Sequence, residues 1–488
     1  MNAETKKQIL FYIGSFLISL LSLCFIWIQT SKYGVDLSPD SITYMKWAQN
    51  ILDNGVGFII SNNDAKWPPL YPLIIAIFSK ISHVDILSVA RHFNCCLIFF
   101  TCFLQTLLLK KLSEKRFFSA IAFGLFTPFS IPLNLVYSFA WSEPLFIFLL
   151  ILIAFSIEKT TYSRLILCGF LSASAILTRY AGVTIVPTVC LVVFMQKNSL
   201  TEKIKKCFCY ATFPTLIYTI YLVRNYCFTK TLMGPRTTSS TGLILNAARA
   251  CATIALWFSG RNFFIATLLC FIFAIFVLNH KKQIASHFFK GSNLVIFSIN
   301  FFVIYFIFIV ISSTTTAYDA IDVRLMSPVF PAILVILFLA FGSDIFAMAK
   351  SRFYYAGLLL YLLLISLSAV KTIEDLEYRK SYGIYGYNSV FWQENKLISY
   401  LKESNVIQYS DSIISNDPFA LFLVNKKISA ISTHQIQNPI CQKFEGYLFV
   451  FFYIPTSSSS ERLLAECEME TITKTPDGSL FRITNHKK

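Results

Sequence analysis

The sequence predicts a polytopic α-helical membrane protein with about eleven transmembrane helices and a small C-terminal α/β domain outside the membrane. Three observations lead there. Of the 488 residues, 55% are hydrophobic and only 14% are charged, whereas soluble domains carry about 25% charged residues. The apolar residues arrive in uncharged blocks: Ile9 to Gln29 holds no charged side chain, and at about 1.5 Å per residue it can cross a hydrocarbon core of about 30 Å. Lys and Arg collect in short segments between alternate blocks, as in Lys110-Lys111 through Lys115-Arg116, which is the positive-inside pattern.

The net charge of +16 therefore reports topology, not nucleic-acid binding, and its partners are anionic lipid headgroups. Most of the 13 cysteines lie in apolar blocks, where Cys behaves as a small hydrophobe. No Cys/His spacing suggests zinc.

In order, the expected spans are 9–29, 93–109, 117–135, 143–157, 165–178, 182–196, 207–223, 262–279, 291–312, 326–342 and 353–370. Several are near 15 residues and must tilt or shelter among neighbours. Basic segments at 1–8, 110–116, 158–164, 197–206, 280–290 and 343–352 place the N-terminus in the cytoplasm and, after an odd number of crossings, the C-terminus outside. The first block lacks an A-x-A cleavage site and reads as a retained anchor.

Two outer segments are too long for turns. Segment 30–92 opens a helix with Ser38 as N-cap and Pro39 at its first position, closing near Asn54-Gly55. One stripe of it carries Ile42, Met45, Gln49 and Leu52, the other Asp40, Tyr44 and Trp47, so an amphipathic helix along the membrane surface is expected. Leu70 to Phe78 is too short to span and reads as interfacial or re-entrant. Segment 224–261 carries Arg224, Lys230, Arg236, Arg249 and Arg261. From about 371 charge returns. Residues 1–370 thus form a membrane domain and 371–488 an outer α/β domain, with strand candidates at Val406–Ser415, Gly446–Ile454 and Leu480–Thr484. Its two cysteines, Cys441 and Cys467, could pair in an oxidising compartment.

Ionisable groups at membrane depth are costly and usually functional. Glu143 and Arg179 alone meet that description, each at the outer end of an apolar block. With no acid or base near the midplane, chemistry at the outer surface fits better than ion transport. A transporter or flippase for a lipid-linked substrate is the rival class.

Several strings then carry a resemblance. Pro39-Asp40-Ser41-Ile42-Thr43-Tyr44 is followed by Ala48, Asn54-Gly55-Val56-Gly57 and Pro68-Pro69-Leu70-Tyr71-Pro72. Next come Ser142-Glu143-Pro144-Leu145-Phe146, Leu177-Thr178-Arg179-Tyr180-Ala181-Gly182, Arg324-Leu325-Met326-Ser327-Pro328 and Ser415-Asn416-Asp417-Pro418. In this order they resemble the GT-C superfamily of membrane glycosyltransferases, in the bacterial branch related to protein O-mannosyltransferases and the lipid A aminoarabinose transferase. The resemblance implies transfer of a sugar, with inversion, from a polyprenyl-phosphate donor to a glycan, lipid or protein acceptor on the outer face of the inner membrane. The absence of any Asn-x-Ser/Thr sequon agrees with a bacterial membrane.

The resemblance implies that Asp40 is the general base, and a hydroxyl acceptor does need a carboxylate to take its proton. Asp36 is the rival in the same loop, and a helix-start role for Asp40 is the plain alternative. Relatives with Asp-Glu here differ from Asp40-Ser41. Glu143 matches a second acidic position and could orient the acceptor, tune Asp40, or help hold a divalent cation. Arg324 matches an arginine expected to bind the carrier phosphate, since guanidinium grips phosphate oxygens in pairs. Arg224, Arg236 and Lys66 are further phosphate candidates, with interfacial snorkelling as their alternative. Arg179 either joins the site or braces it through a carboxylate. Tyr44, Tyr71 and Trp67 could line a sugar or prenyl groove, or anchor the interface.

Overall fold

A computed structural model describes residues 2–61, 65–113, 117–268, 292–317, 319–339, 352–404, 406–408, 411–433, 446–452 and 467–483. Among these, four helices are long and apolar enough to cross a membrane: Glu4–Gln29, Ile86–Leu112, Leu200–Thr229 and Asn293–Thr315. Their outer faces expose Leu10, Leu17, Leu216, Ile220 and Val223, as befits side chains meeting lipid. The Ala3–Gln29 helix packs along Ile86–Leu112, and Leu200–Thr229 along Tyr162–Thr178. The second contact is close because Gly169 has no side chain: a Cβ there would lie 2.8 Å from the Tyr210 carbonyl oxygen.

Several expected spans take a different form. The stretch 117–135 is two short helices, Phe117–Gly124 and Ile131–Ser138. Pro128 removes a backbone donor between them, and Ser130 caps the restart by accepting from Leu133 N at 3.2 Å. The block at 326–342 begins as the turn Val323–Met326, tightens at Ser327–Val329 and continues as Phe330–Leu337, with Pro328 and Pro331 at the joints. Most of span 262–279 and the end of span 326–342 lie outside the described residues. The helix opening at Arg352 runs on to Tyr382, past the change in composition near 371.

In the first outer segment the local signals hold. The helix is Pro39–Asn54, Ser38 accepts from Ser41 N, and Gly55 closes it at φ 76°. It is not a surface helix, however. Ile42, Tyr44, Met45, Trp47 and Ile51 are all buried, so both stripes are covered. The Leu70–Ser82 helix packs against it, and the C-terminal region reaches over it through Lys427, 2.9 Å from Asp53. The Leu70–Ser82 helix itself buries Tyr71, Ile75 and Ala76 while exposing Ile77, Phe78 and Ile81.

The C-terminal region carries a five-stranded sheet of β1 (Ile413–Ser415), β2 (Ile431–Ser432), β3 (Gly446–Phe451), β4 (Met469–Thr475) and β5 (Gly478–Ile483), ordered β2-β1-β3-β5-β4. β1 lies parallel to β2 and β3, and β5 lies antiparallel to β3 and β4. The expected strands at Val406–Ser415 and Leu480–Thr484 are therefore trimmed to β1 and shifted to β5. β4 escaped notice because Met469-Glu470-Thr471-Ile472-Thr473-Lys474-Thr475 is a polar edge strand, although the Asp477-Gly478 turn after it is a hairpin signal. Trp392, Leu397, Leu401, Phe449, Phe451 and Leu480 form the core beneath this sheet. Cys441, the expected partner of Cys467, lies outside the described residues.

Candidate active site

Four pieces of the chain converge at the start of the Pro39–Asn54 helix. Ser38 caps that helix and receives a hydrogen bond from Trp141 Nε1 at 2.7 Å. Asp40 sits in the first helical turn, where the dipole favours an acid. Its Oδ2 lies 2.6 Å from Nη1 of Arg324. The same guanidinium places Nε 2.6 Å from Oε1 of Glu143 and its carbon 4.3 Å above the Trp141 ring.

Glu143 begins the Glu143–Ser156 helix, with Pro144 behind it, and has no exposed surface. It also pairs with Arg179. Arg179 adopts an extended backbone that ends the Tyr162–Thr178 helix, and its Nη1 donates to Ser142 Oγ at 3.4 Å. Tyr44 OH shares that hydroxyl at 3.1 Å. Arg324 is held by the Val323–Met326 turn, which Asp322 caps through Leu325 N at 3.0 Å. Two carboxylates and two guanidiniums thus neutralise one another, as buried charges must.

A cavity of about 620 Å³ opens beside this cluster, within the size range of small-molecule sites. Asp40, Tyr44, Arg179 and Arg324 reach its wall, as do Lys66, Trp67 and Arg236. Asp40 is the more exposed of the two acids, with 23% of its side chain accessible against none for Glu143. Lys66 and Arg236 belong to one wall: Arg236 Nη2 donates to the Lys66 carbonyl at 3.2 Å. Gly234, at φ 76°, lets the two segments touch, since a Cβ there would fall 2.7 Å from Lys66 Cγ.

The other sequence candidates lie elsewhere. Tyr71 is fully buried behind Tyr44, edge to face at 5.4 Å, and does not reach the cavity wall. Arg224 bonds the Ile60 carbonyl at 3.1 Å and Asn225 Oδ1 at 3.0 Å, bracing the first outer segment away from the cavity. Asp36 is buried at the joint with the C-terminal region, where Oδ1 accepts from Leu37 N at 2.7 Å and Asn388 N at 3.1 Å. Sequence reasoning gave no site role to Trp141, which adjoins the Glu143 string, or to Ser142, which begins it. It also gave no site role to Tyr180, which lies in the Arg179 string, or to Tyr218, Asp319 and Asp322, which carry no local signal; all four reach the cavity wall.

Burial pushes the Asp36 carboxyl up to about 7, against the pull of its backbone donors and of Arg379. A folded state that holds a proton more tightly than the unfolded chain loses stability as pH rises through the window between the two values, here 3.8 to about 7. Asp36→Asn should flatten that slope in thermal unfolding followed from pH 4 to 7.

No protein-family model matches the chain, and no curated sequence matches it. The arrangement of helices and C-terminal domain is nevertheless similar to that of solved structures. Apo ArnT from Cupriavidus metallidurans superposes with a TM-score of 0.61 at 10% identity over 99% of both chains. The same protein bound to undecaprenyl phosphate gives 0.60 at 10% identity, over 96% of this chain and 97% of that one. The archaeal oligosaccharyltransferase AglB from Archaeoglobus fulgidus, in complex with an inhibitory peptide and a dolichol-phosphate, gives 0.56 at 11% identity, over 99% of this chain and 75% of that one. The apolar helices and this shared fold make the chain an integral membrane protein.

Proposed function

We infer that the protein is a glycosyltransferase of the inner membrane, moving a sugar with inversion from a polyprenyl-phosphate donor to an acceptor hydroxyl on the outer face. The observation that carries the reading is one cavity bordered by an oriented carboxylate, Asp40, and by a basic wall, Lys66 and Arg236. The fold shared with proteins that bind undecaprenyl phosphate and dolichol-phosphate supports it.

In this reading the carrier phosphate lies against Lys66 and Arg236 and the sugar extends toward Asp40, among Tyr44, Trp67 and Tyr180. Asp40 takes the proton of the acceptor hydroxyl as that oxygen bonds to the anomeric carbon. The bond from that carbon to the phosphate oxygen breaks, and polyprenyl phosphate leaves with its new charge facing the two cations. Arg324 orients Asp40. Glu143, which does not reach the cavity, is a positioning residue that fixes Arg324 and Arg179. Arg179 acts chiefly as a brace.

A divalent cation is compatible with the fold, since AglB has also been solved in complex with Zn and sulfate. Among the described residues no three His, Cys, Asp or Glu side chains gather as ligands, and Asp40 and Glu143 share the Arg324 guanidinium. No step above runs through a metal.

The test is transfer by the purified protein in liposomes, read as release of polyprenyl phosphate from a synthetic polyprenyl-phosphate sugar. No release with any hexose or pentose donor, alongside intact carrier binding, overturns the reading. Lys66→Ala and Arg236→Ala should each weaken carrier binding by roughly 10- to 100-fold, the worth of about 1.5–3 kcal/mol for a charged hydrogen bond, measured by titration with undecaprenyl phosphate. The expected topology is checked by cysteine labelling. Ser199→Cys should react only from the cytoplasm and Tyr385→Cys only from outside. Reaction of both from one side would overturn it.

A further inference from the structure

Resting on that reading, we propose that Asp36 is a positioning residue through which the C-terminal domain sets the geometry of the base, Asp40. The backbone at Val35–Leu37 is the middle layer of three. On one side it meets the segment entering the Glu143 helix: Asp36 N donates to the Ser138 carbonyl at 2.9 Å, and Ala140 N donates to the Asp36 carbonyl at 3.0 Å. On the other side it meets the segment leaving the long Arg352–Tyr382 helix. There Tyr387 N donates to the Leu37 carbonyl at 2.9 Å, and Asn388 Nδ2 donates to the Val35 carbonyl at 2.7 Å.

The Asp36 carboxylate closes this seam by taking the Leu37 and Asn388 amides. Gly386 is packed so tightly against it that any Cβ would overlap the carboxylate and the Leu37 carbonyl. The layer then continues in both directions. Toward the membrane domain lie Ser38, bonded by Trp141, and, two residues on in the first helical turn, Asp40. Toward the outer domain, Tyr387 OH donates to Asp417 Oδ1 at 2.8 Å, in the turn that follows β1. A chain of direct bonds therefore links the sheet to the turn bearing Asp40, and Asp36 is its central side chain.

The carboxyl is raised by burial toward neutrality, so an amide can stand in for its protonated form and keep the Oδ1 acceptor. That supplies the conservative rescue. Asp36→Ala should lower kcat per folded molecule by roughly 10²-fold, the cost of about 1 Å of misplacement at a reacting group, with little change in KM for the donor. Asp36→Asn should restore most of it. Asn388→Ala, a milder cut made from the outer domain, should lower kcat in the same direction should Asp36→Ala fail to fold.

Hydrogen exchange read by mass spectrometry supplies a signal independent of turnover. In Asp36→Ala and Asn388→Ala, protection should fall at 36–44 and 138–143 as well as at 384–390. Loss confined to 384–390, or unchanged kcat in folded Asn388→Ala and Asp36→Ala, overturns the proposal. If wild type transfers no sugar, the functional reading fails on its own account, and the exchange pattern still decides the coupling.

Discussion

Asp40→Asn should express, fold and bind undecaprenyl phosphate like the wild type, while turnover falls by roughly 10²–10⁴-fold, the usual contribution of a general base. The helix does not depend on this carboxylate for its cap, because Ser38 fills that role. Arg324 keeps Glu143 as a partner when the charge on Asp40 is removed, and a partly exposed ion pair contributes about 1 kcal/mol at most. A change limited to turnover is therefore expected. The parallel variant Asp36→Asn should stay close to wild type, because its carboxyl is buried against Gly386 and Asn388 and does not reach the cavity wall. Initial rates with a defined polyprenyl-phosphate sugar, measured for both, separate the two acids of the loop. A silent Asp40→Asn would withdraw the general-base role and bring the lipid-linked transporter forward.

The second large effect falls on stability. Glu143→Gln removes the only charge compensating Arg179 among the described ion pairs and one of two compensating Arg324. Cutting one member from a buried ion cluster costs about 3–5 kcal/mol, since the remaining charges keep their desolvation cost. The variant should therefore unfold at a clearly lower temperature in detergent, and the fraction that folds should turn over slowly, with Arg324 no longer fixed against Asp40. Replacing Tyr71 by Phe provides the contrast. It removes a buried hydroxyl with no hydrogen-bond partner among the described residues, so stability should hold. An unchanged midpoint for Glu143→Gln would mean that the cluster is not what ties these outer loops together.

Much of the framework was legible locally. The apolar blocks announced the helices at Ala3–Gln29, Ile86–Leu112 and Asn293–Thr315, and the Ser38-Pro39 start and Asn54-Gly55 end of the first outer helix were both correct. Hydropathy and capping depend on neighbours within a turn or two, so a single sequence displays them. The same locality explains the failures. The covered stripe of the Pro39–Asn54 helix looked polar because nothing nearby announces the helix and domain that close over it. The edge strand β4 looked like loop because its partner, β5, supplies what its own side chains do not.

The sequence by itself determined that this is a membrane protein with a helical body and a C-terminal α/β region, and it displayed an ordered series of strings resembling the GT-C superfamily. It offered a short set of acids and arginines as candidates for the chemistry. Which of them work together was decided only by the tertiary structure. Arg324 and Glu143 stand 181 residues apart in the chain, and Asp36 and Asn388 stand 352 apart. Whether an arginine meets a phosphate or a carboxylate, and whether an aspartate faces a cavity or a backbone seam, depends on distances of a few ångströms between such remote segments. Charge and hydrogen-bond energies vary steeply over that range. Composition and spacing carry no record of it, so Asp36 and Asp40, four residues apart, could be told apart only when folded.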